Sequence, residues 1–338
     1  MHTLSKAFDP EHRYYSLASP LFPSPIFSMF GYFLILLASV FFCIQNITVR
    51  ILFAEQMMLG IGSTGGFLEP TLQNSFLLLL FRMTLTFPLM VLLAHFLYPR
   101  TWQDLRKLLT IAHRPALFYA LAGGVLMFSY LALLYVAIGL IATGVALTLF
   151  FTSPVFTALF SWRFFGQRPS LLQWSVIGCV LLGSGLTVPS TQWSGDGSYW
   201  GVILGIGAGI AYSLYTVNAQ KSFEHVHPVV YTWMSFAITL LITAVCLLVW
   251  PLKNTATLEW GPIYAWSLVS GFVTFVGHVL YNSGIRYIGA TNAAMIGTTN
   301  PALTVVGAWA IIQEALSIRQ LIGVSIVILS VALLSRLS

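Results

Sequence analysis

LYVAIGLIATGVALTLFFTSPVFTALF, residues 134–160, has a second copy about 147 residues further on, LYNSGIRYIGATNAAMIGTTNPALTVVG, residues 280–307. Leu134-Tyr135, Ala142-Thr143 and Thr152-Ser153-Pro154 recur as Leu280-Tyr281, Ala290-Thr291 and Thr299-Asn300-Pro301. Beyond each proline, Gln167, Ser170 and Gln173 align with Glu314, Ser317 and Gln320. Both copies are strongly apolar. They read as a duplicated set of membrane helices, each with a proline-broken helix at the same place, and paired interruptions of this kind point to a transporter's binding site.

Composition sets the solvent. The chain is 58% hydrophobic and only 7% charged, with mean hydropathy +0.87. A soluble domain carries about 25% charged residues, so this chain cannot cover a water-facing surface and lipid is its solvent. The net charge of +6 forms no basic stripe, which argues against nucleic acid as a partner. Cys43, Cys179 and Cys246 each sit in an apolar run without metal-ligand spacing, and read as small core residues. No metal or cofactor is expected. Residues 1–26 mix charge and proline and read as a cytoplasmic tail, not a cleaved leader.

A helix needs about 20 apolar residues to cross the hydrocarbon core. Ten stretches qualify: 27–53, 75–98, 116–138, 143–165, 170–188, 200–219, 229–250, 263–285, 290–312 and 317–335. With the N-terminus inside, eleven Lys and Arg fall on the cytoplasmic side and four (Arg50, Arg82, Lys253, Arg319) on the other. That bias fits both termini cytoplasmic, in a plasma (inner) membrane. Five spans per copy is an odd number, so the second copy enters from the opposite face. The expected fold is an all-α polytopic membrane protein, ten transmembrane helices as two inverted five-helix repeats, residues 27–190 and 198–336. Inverted halves supply two related conformations around a midplane site.

At this point the residues are similar to a known group. The order and spacing of Asn46, Arg82, the Pro154 and Pro301 helices, Ala211-Tyr212-Ser213-Leu214-Tyr215-Thr216-Val217, Ser170-Leu171-Leu172-Gln173-Trp174 and Glu314-Ala315-Leu316-Ser317-Ile318-Arg319-Gln320 resemble the drug/metabolite transporter superfamily in its ten-helix form with two EamA-type domains. The resemblance covers about residues 28–336. It implies export or facilitated movement of small polar metabolites such as amino acids. It also implies a cavity lined by spans one, three, four, six, eight and nine, with spans five and ten as scaffold. Two features depart from the pattern. Gln167 stands where the family usually has Glu, and the connection 54–74 is long. The latter reads either as a flexible cap over the outer mouth or as an insertion without a role, which loops tolerate cheaply.

Candidate site residues follow from polarity inside apolar runs. Arg82 lies about eight residues into span two, where a charge costs about 2.5 kcal/mol or more unless it faces protein or water. It is a counter-charge for a substrate carboxylate or a gating pair; snorkelling or a structural ion pair is the alternative. His278, with Asn282 four residues on, offers a substrate or proton contact, or a hydrogen-bonded structural histidine. Pro154 and Pro301 free helix carbonyls, beside Thr148, Thr152, Thr299 and Asn300, which line a cavity or repair a packing kink. Gln45, Asn46, Tyr130, Tyr135, Tyr212, Tyr215, Asn218, Tyr281 and Asn292 complete the polar and aromatic set on the proposed lining spans. Glu314 reads as a structural ion pair with Arg319 or a helix cap. No Asp or Glu lies at the centre of a span, so a carboxylate proton relay has no support.

Two motifs mislead. Gly205-Ile206-Gly207-Ala208-Gly209 lies inside a span and reads as close helix packing, not a dinucleotide loop. His225 and His227 lack a third ligand and read as loop residues. No constellation for an enzyme is present, and nothing resembles a pore's charge ring or carbonyl filter. The sequence therefore reads as a secondary transporter, moving a small polar or amphipathic metabolite, an amino acid or related compound as best guess, outward by alternating access. The alternative is a channel-like or lipid-handling protein. A phosphorylated sugar is disfavoured, because it wants several buried Lys or Arg donors. The expected partners are the bilayer and a small-molecule substrate; homodimerisation stays open.

Overall fold

In lipid no water satisfies a bare N–H or C=O, so spanning segments must bond internally, and here they do so as helices. The computed structural model describes residues 25–59, 62–69, 71–110, 114–141, 143–187, 199–252, 258–313 and 317–337. Glu314 and nearly all of the tail 1–26 lie outside the described residues. The elements in chain order begin with α1 (Pro25–Phe53), a hairpin of β1 (Glu55–Met58) and β2 (Gly62–Gly65), α2 (Leu72–Leu97), α3 (Thr101–Leu108), α4 (Arg114–Leu140), α5 (Thr143–Phe150), α6 (Ser153–Phe165) and α7 (Leu171–Thr187). They continue with α8 (Tyr199–Ser222), α9 (Pro228–Val249), α10 (Trp260–Gly297), α11 (Thr299–Ile312) and α12 (Ile318–Leu337).

The protein is an all-α polytopic membrane protein. Among the described residues, seven helical segments are long and apolar enough to cross a bilayer, and Leu171–Thr187, Thr299–Ile312 and Ile318–Val331 are shorter apolar helices. Polarity is inverted relative to a soluble domain. Phe96, Leu171, Leu248 and Leu329 stand exposed, while Ser39, Thr157, Ser213 and Thr243 are fully buried. Each of those hydroxyls donates to the carbonyl one turn back, at 2.7–3.0 Å, which satisfies it where no water reaches.

The structure differs from the expected spans in two places. The span 143–165 is two helices, because the chain turns at Phe151-Thr152. The boundary expected between 285 and 290 coincides with a kink inside α10, where Gly289 turns to φ +76° and Gln220 Oε1 accepts from the Ala290 N–H. The ninth span breaks at Thr298, before α11. Thr298 is the counterpart of Phe151, so both copies break at one place. Each proline sits in the first turn of the segment after the break. There a missing N–H costs nothing, because the first turn has no carbonyl to bond.

Helices from the two ends of the chain pair with one another. α1 packs along α10, as α4 packs along α8; α1 also meets α11, as α8 meets α6. α2 packs against α9, and α7 against α12. The α7–α12 crossing depends on glycine. A Cβ on Gly323 would lie 2.6 Å from the Gly183 carbonyl oxygen, and one on Gly183 2.9 Å from that of Gly323. Small residues of this kind let helices approach where hydrophobic collapse gives no drive.

Within the connection 54–74 the described residues form a paired hairpin. β1 and β2 pair antiparallel, Glu55 opposite Gly65 and Met58 opposite Gly62. The returning strand also caps α1: the Gly66 N–H donates to Ile51 O and the Leu68 N–H to Leu52 O, each at 3.0 Å. Those two carbonyls belong to the last turn, which has no helical partners of its own. At the tip the Leu59 N–H donates to Ile311 O, at 2.9 Å, in the last turn of α11. The hairpin therefore fastens the end of α1 to the end of α11.

Candidate functional site

The two broken helices and their neighbours enclose a cavity of ≈ 260 Å³. α1, α4, α5, α10 and α11 supply most of the wall; α2, α6, α7, α8 and α12 add one residue each, Arg82, Ser153, Thr187, Tyr212 and Gln320. The lining runs from Tyr212, His278 and Tyr281 toward Arg50, Ile138, Thr187 and Gln320, at helix ends on the hairpin side.

Of the residues singled out in the sequence, Asn46, Arg82, Tyr130, Thr148, Tyr212, His278, Tyr281, Asn300 and Pro301 line this cavity. Pro154, Thr152, Tyr215, Asn282, Asn292 and Thr299 lie outside its lining. Thr152 and Thr299 donate to Leu149 O and Ile296 O, so they mend the helix breaks. Asn292 Oδ1 accepts from Gln173 Nε2 at 3.2 Å. Asn282, four residues from His278 and so on the same face of α10, lies one turn beyond the lining, where it bonds Tyr215 of α8 and Thr232 of α9.

Arg82 is the dominant charge. Its side chain is 4% exposed. Nε donates to Ser270 Oγ at 3.0 Å, and Nη2 to Gln45 Oε1 at 2.5 Å in the amide orientation that satisfies its neighbours. In that orientation Gln45 Nε2 donates to Ser270 O at 2.8 Å and Thr274 Oγ1 at 2.9 Å. Among the described residues, no carboxylate pairs with Arg82. An intramembrane cation ordinarily finds a counter-charge or a wet cavity; this one has neutral dipoles and the cavity.

His278 sits between two partners. Thr274 O can only accept, so Nδ1 carries a proton and donates to it at 3.0 Å. Nε2 then accepts from Tyr130 Oη at 3.2 Å, and the neutral imidazole satisfies both. Aromatic rings surround the pair. Tyr130 lies 5.1 Å from Tyr212, Phe150 5.1 Å from Tyr212, and Phe42 5.0 Å from His278. On another wall Asn46 Nδ2 donates to Asn300 Oδ1 at 3.0 Å and to Thr304 Oγ1 at 3.1 Å, joining α1 to α11.

The side away from the hairpin is shut by a polar layer. Asn282 Nδ2 donates to Tyr215 Oη and Thr232 Oγ1, both at 2.9 Å. Asn218 Nδ2 donates to Tyr119 O at 2.8 Å and Tyr231 Oη at 3.1 Å. These bonds tie α4, α8, α9 and α10 together, and Tyr215, Tyr231 and Asn282 are fully buried.

Gln45, one of the amides expected on the lining spans, completes the Arg82 site with Ser270 and Thr274, which the sequence alone did not single out. Their signal is visible afterwards: Ser270, Thr274, His278 and Asn282 recur every four residues along one face of α10. The Ser-x-x-Gln segments are two capping boxes. The Ser170 N–H donates to Gln173 Oε1 and the Gln173 N–H to Ser170 Oγ; Ser317 and Gln320 repeat both bonds. Each satisfies two orphan donors at a helix start. His227 is also a cap: its Nδ1 accepts from the Val229 N–H at 3.3 Å, and its ring stacks on Tyr98 at 4.0 Å. Among the described residues, no group of three His, Cys, Asp or Glu gathers to hold a metal.

Residues 199–336 match the EamA-like transporter family. An uncharacterized transporter of Synechocystis is 49% identical over 309 residues, which is 91% of this chain and 94% of that protein. An uncharacterized transporter of Clostridium kluyveri is 23% identical over 312 residues, 88% of this chain and 91% of the relative. The uncharacterized transporter YvbV of Bacillus subtilis is 26% identical over 209 residues, 60% of this chain and 66% of its own. A solved protein crystal structure superposes with a TM-score of 0.64, over 92% of this chain and 99% of that one, at 16% identity; that likeness bears on the fold alone.

Proposed function

The chain belongs to the EamA-like transporter family, and from that premise we propose that it is a secondary transporter that moves a small amphipathic metabolite by alternating access. The observation that carries this reading is the buried, carboxylate-free Arg82 at a cavity that reaches the hairpin side and is closed on the other. The metabolite bears a carboxylate, as in an amino acid or related compound, and Arg82 holds it through a charge-assisted hydrogen bond. Tyr130, Tyr212, His278 and Tyr281 receive the rest of the molecule. Both termini are cytoplasmic, supported by the eleven-to-four charge bias, so the cavity faces outward. The protein stands in the plasma membrane and exports.

Two inverted five-helix halves, 27–190 and 198–336, supply the motion. The reciprocal pairings of α1 with α10 and α4 with α8, and the matched breaks at Phe151 and Thr298, support that division. Exchanging the roles of the halves closes the hairpin side and opens the Asn282 layer. The reading predicts that Arg82→Ala and His278→Ala lose most transport in proteoliposomes while still inserting in the membrane. Wild-type rates in both variants would remove these residues from the site.

A further inference from the structure

We propose that the cargo is a small organic monoanion with an aromatic or flat apolar body, carried with net charge −1 and expelled by the membrane potential without a coupling ion. This rests on the carrier reading above and narrows it. The net charge of the central site follows from its bonds. Arg82 is positive and held by the neutral Gln45 amide and Ser270 hydroxyl. His278 is bonded as the neutral imidazole, giving through Nδ1 and accepting at Nε2. Among the described residues, no Asp or Glu lines the cavity. Arg50 also lines the cavity, at its hairpin end in the last turn of α1; at the centre, a ligand of charge −1 neutralises Arg82 and a zwitterion leaves that charge uncompensated.

Geometry sharpens the discrimination. In an α-amino acid the ammonium sits on the carbon next to the carboxylate. With the carboxylate on Arg82, that ammonium lies within a few ångström of the guanidinium, where like charges repel (roughly as 1/εr). Around it stand the Ser270 and Thr274 hydroxyls and the Gln45 amide, already bonded to one another, and no acid. The same molecule without the amine avoids that conflict. Its body meets Phe42, Phe150, Tyr212 and Tyr281, whose faces and edges suit another ring. A volume of ≈ 260 Å³ lies near the lower end of ligand cavities, roughly 300–1,000 Å³, and fits one ring with a short acid chain.

Energetics points the same way. A proton-coupled exporter needs a group free to titrate within the span, yet no Asp or Glu lies at the centre of any span, and both ring nitrogens of the central His278 are already bonded. A monoanion needs no such group, because an inside-negative potential drives it outward. About 59 mV sustains a tenfold gradient of a single charge.

The test uses a matched trio, 3-phenylpropionate, phenylalanine and phenethylamine, on the full chain in nanodiscs and then in vesicles. We expect 3-phenylpropionate to bind at least tenfold more tightly than phenylalanine, and phenethylamine not to bind. Arg82→Gln should lose that binding and Arg82→Lys retain part of it, both with unchanged unliganded melting. Where Arg82→Gln does not fold, the trio on the wild-type chain decides alone. In vesicles carrying a valinomycin-set potassium potential, 3-phenylpropionate flux above the protein-free background should follow the potential toward the positive side. Equal or tighter phenylalanine binding, or no binding of 3-phenylpropionate, overturns the charge assignment. Saturable but potential-insensitive flux overturns the driving force and leaves the carrier standing. Non-saturable flux with binding intact sinks the carrier reading instead.

Discussion

Replacing Asn282 with Ala should shift the protein away from the conformation seen here. Asn282 is fully buried, and its Nδ2 holds Tyr215 Oη and Thr232 Oγ1, each at 2.9 Å. Thr232 Oγ1 still donates to Pro228 O, at 2.7 Å, after the change. The Tyr215 hydroxyl loses both its donor and its acceptor, Asn282 Oδ1. Three lost hydrogen bonds are worth about 1 kcal/mol each, roughly 3 kcal/mol together. If the layer is a gate, the loss of about 3 kcal/mol falls on the closed-layer conformation alone. A shift of 2 kcal/mol is about 30-fold in the equilibrium, at 1.4 kcal/mol per tenfold. The assay places a single cysteine at Ile138, a lining residue toward the hairpin side, with Cys43, Cys179 and Cys246 replaced. A membrane-impermeant thiol reagent added from that side should label Asn282→Ala at least several-fold more slowly than the parent. Unchanged labelling together with a lower melting temperature would show that the layer only holds the fold, and would refute the gate.

Other residues give independent checks. Gly65 has φ +122°, and a Cβ there would run into the carbonyl oxygens of Ile51 and Ala54. Gly65→Ala should therefore undo the hairpin, visible as protease cleavage near residue 60 that the wild type resists; equal resistance would contradict the anchored hairpin. Ser170→Ala and Ser317→Ala each remove a capping box and should each cost about 1 kcal/mol in unfolding. The two losses should add, since the boxes lie in different helices. Burial, with Arg286 nearby, holds the His227 imidazole down to about 4 from 6.5. The unfolded chain then takes up a proton that the folded chain resists. This contribution to stability is full above pH 6.5 and lost as pH falls toward 4. His227→Asn, which keeps a capping side chain, should flatten the melting-temperature curve across that window; an unchanged curve would contradict it.

The coarse architecture was legible because lipid forces it. A membrane permits few backbone solutions, so apolar length and the repeated Thr152-Ser153-Pro154 and Thr299-Asn300-Pro301 segments carried the helices and their interruptions. The hairpin was not legible. Glu55–Met58 and Gly62–Gly65 show no apolar alternation; they pair because the bare carbonyls of α1 and α11 need donors. The break positions were displaced for a related reason: a proline is tolerated in a first turn, so the chain turns at Phe151 and Thr298, before it. Within the site, Arg82 and His278 stood out as ionisable groups in apolar runs. Ser270 and Thr274 did not, since neutral polar residues in membrane helices more often bond their own backbone, as Ser39 does. Asn282 keeps to the face of His278, but the cavity stops one turn short of it, and helix periodicity carries no mark of that limit.

The central claim is a single cavity presented alternately to two sides. Counterflow tests it most directly. Vesicles loaded with excess unlabelled 3-phenylpropionate and diluted into a trace of labelled compound should take up label above its equilibrium level, and then release it. The uptake should saturate with external concentration and vanish in Arg82→Ala. Uptake that rises linearly, shows no transient overshoot and is indifferent to the internal load would contradict alternating access.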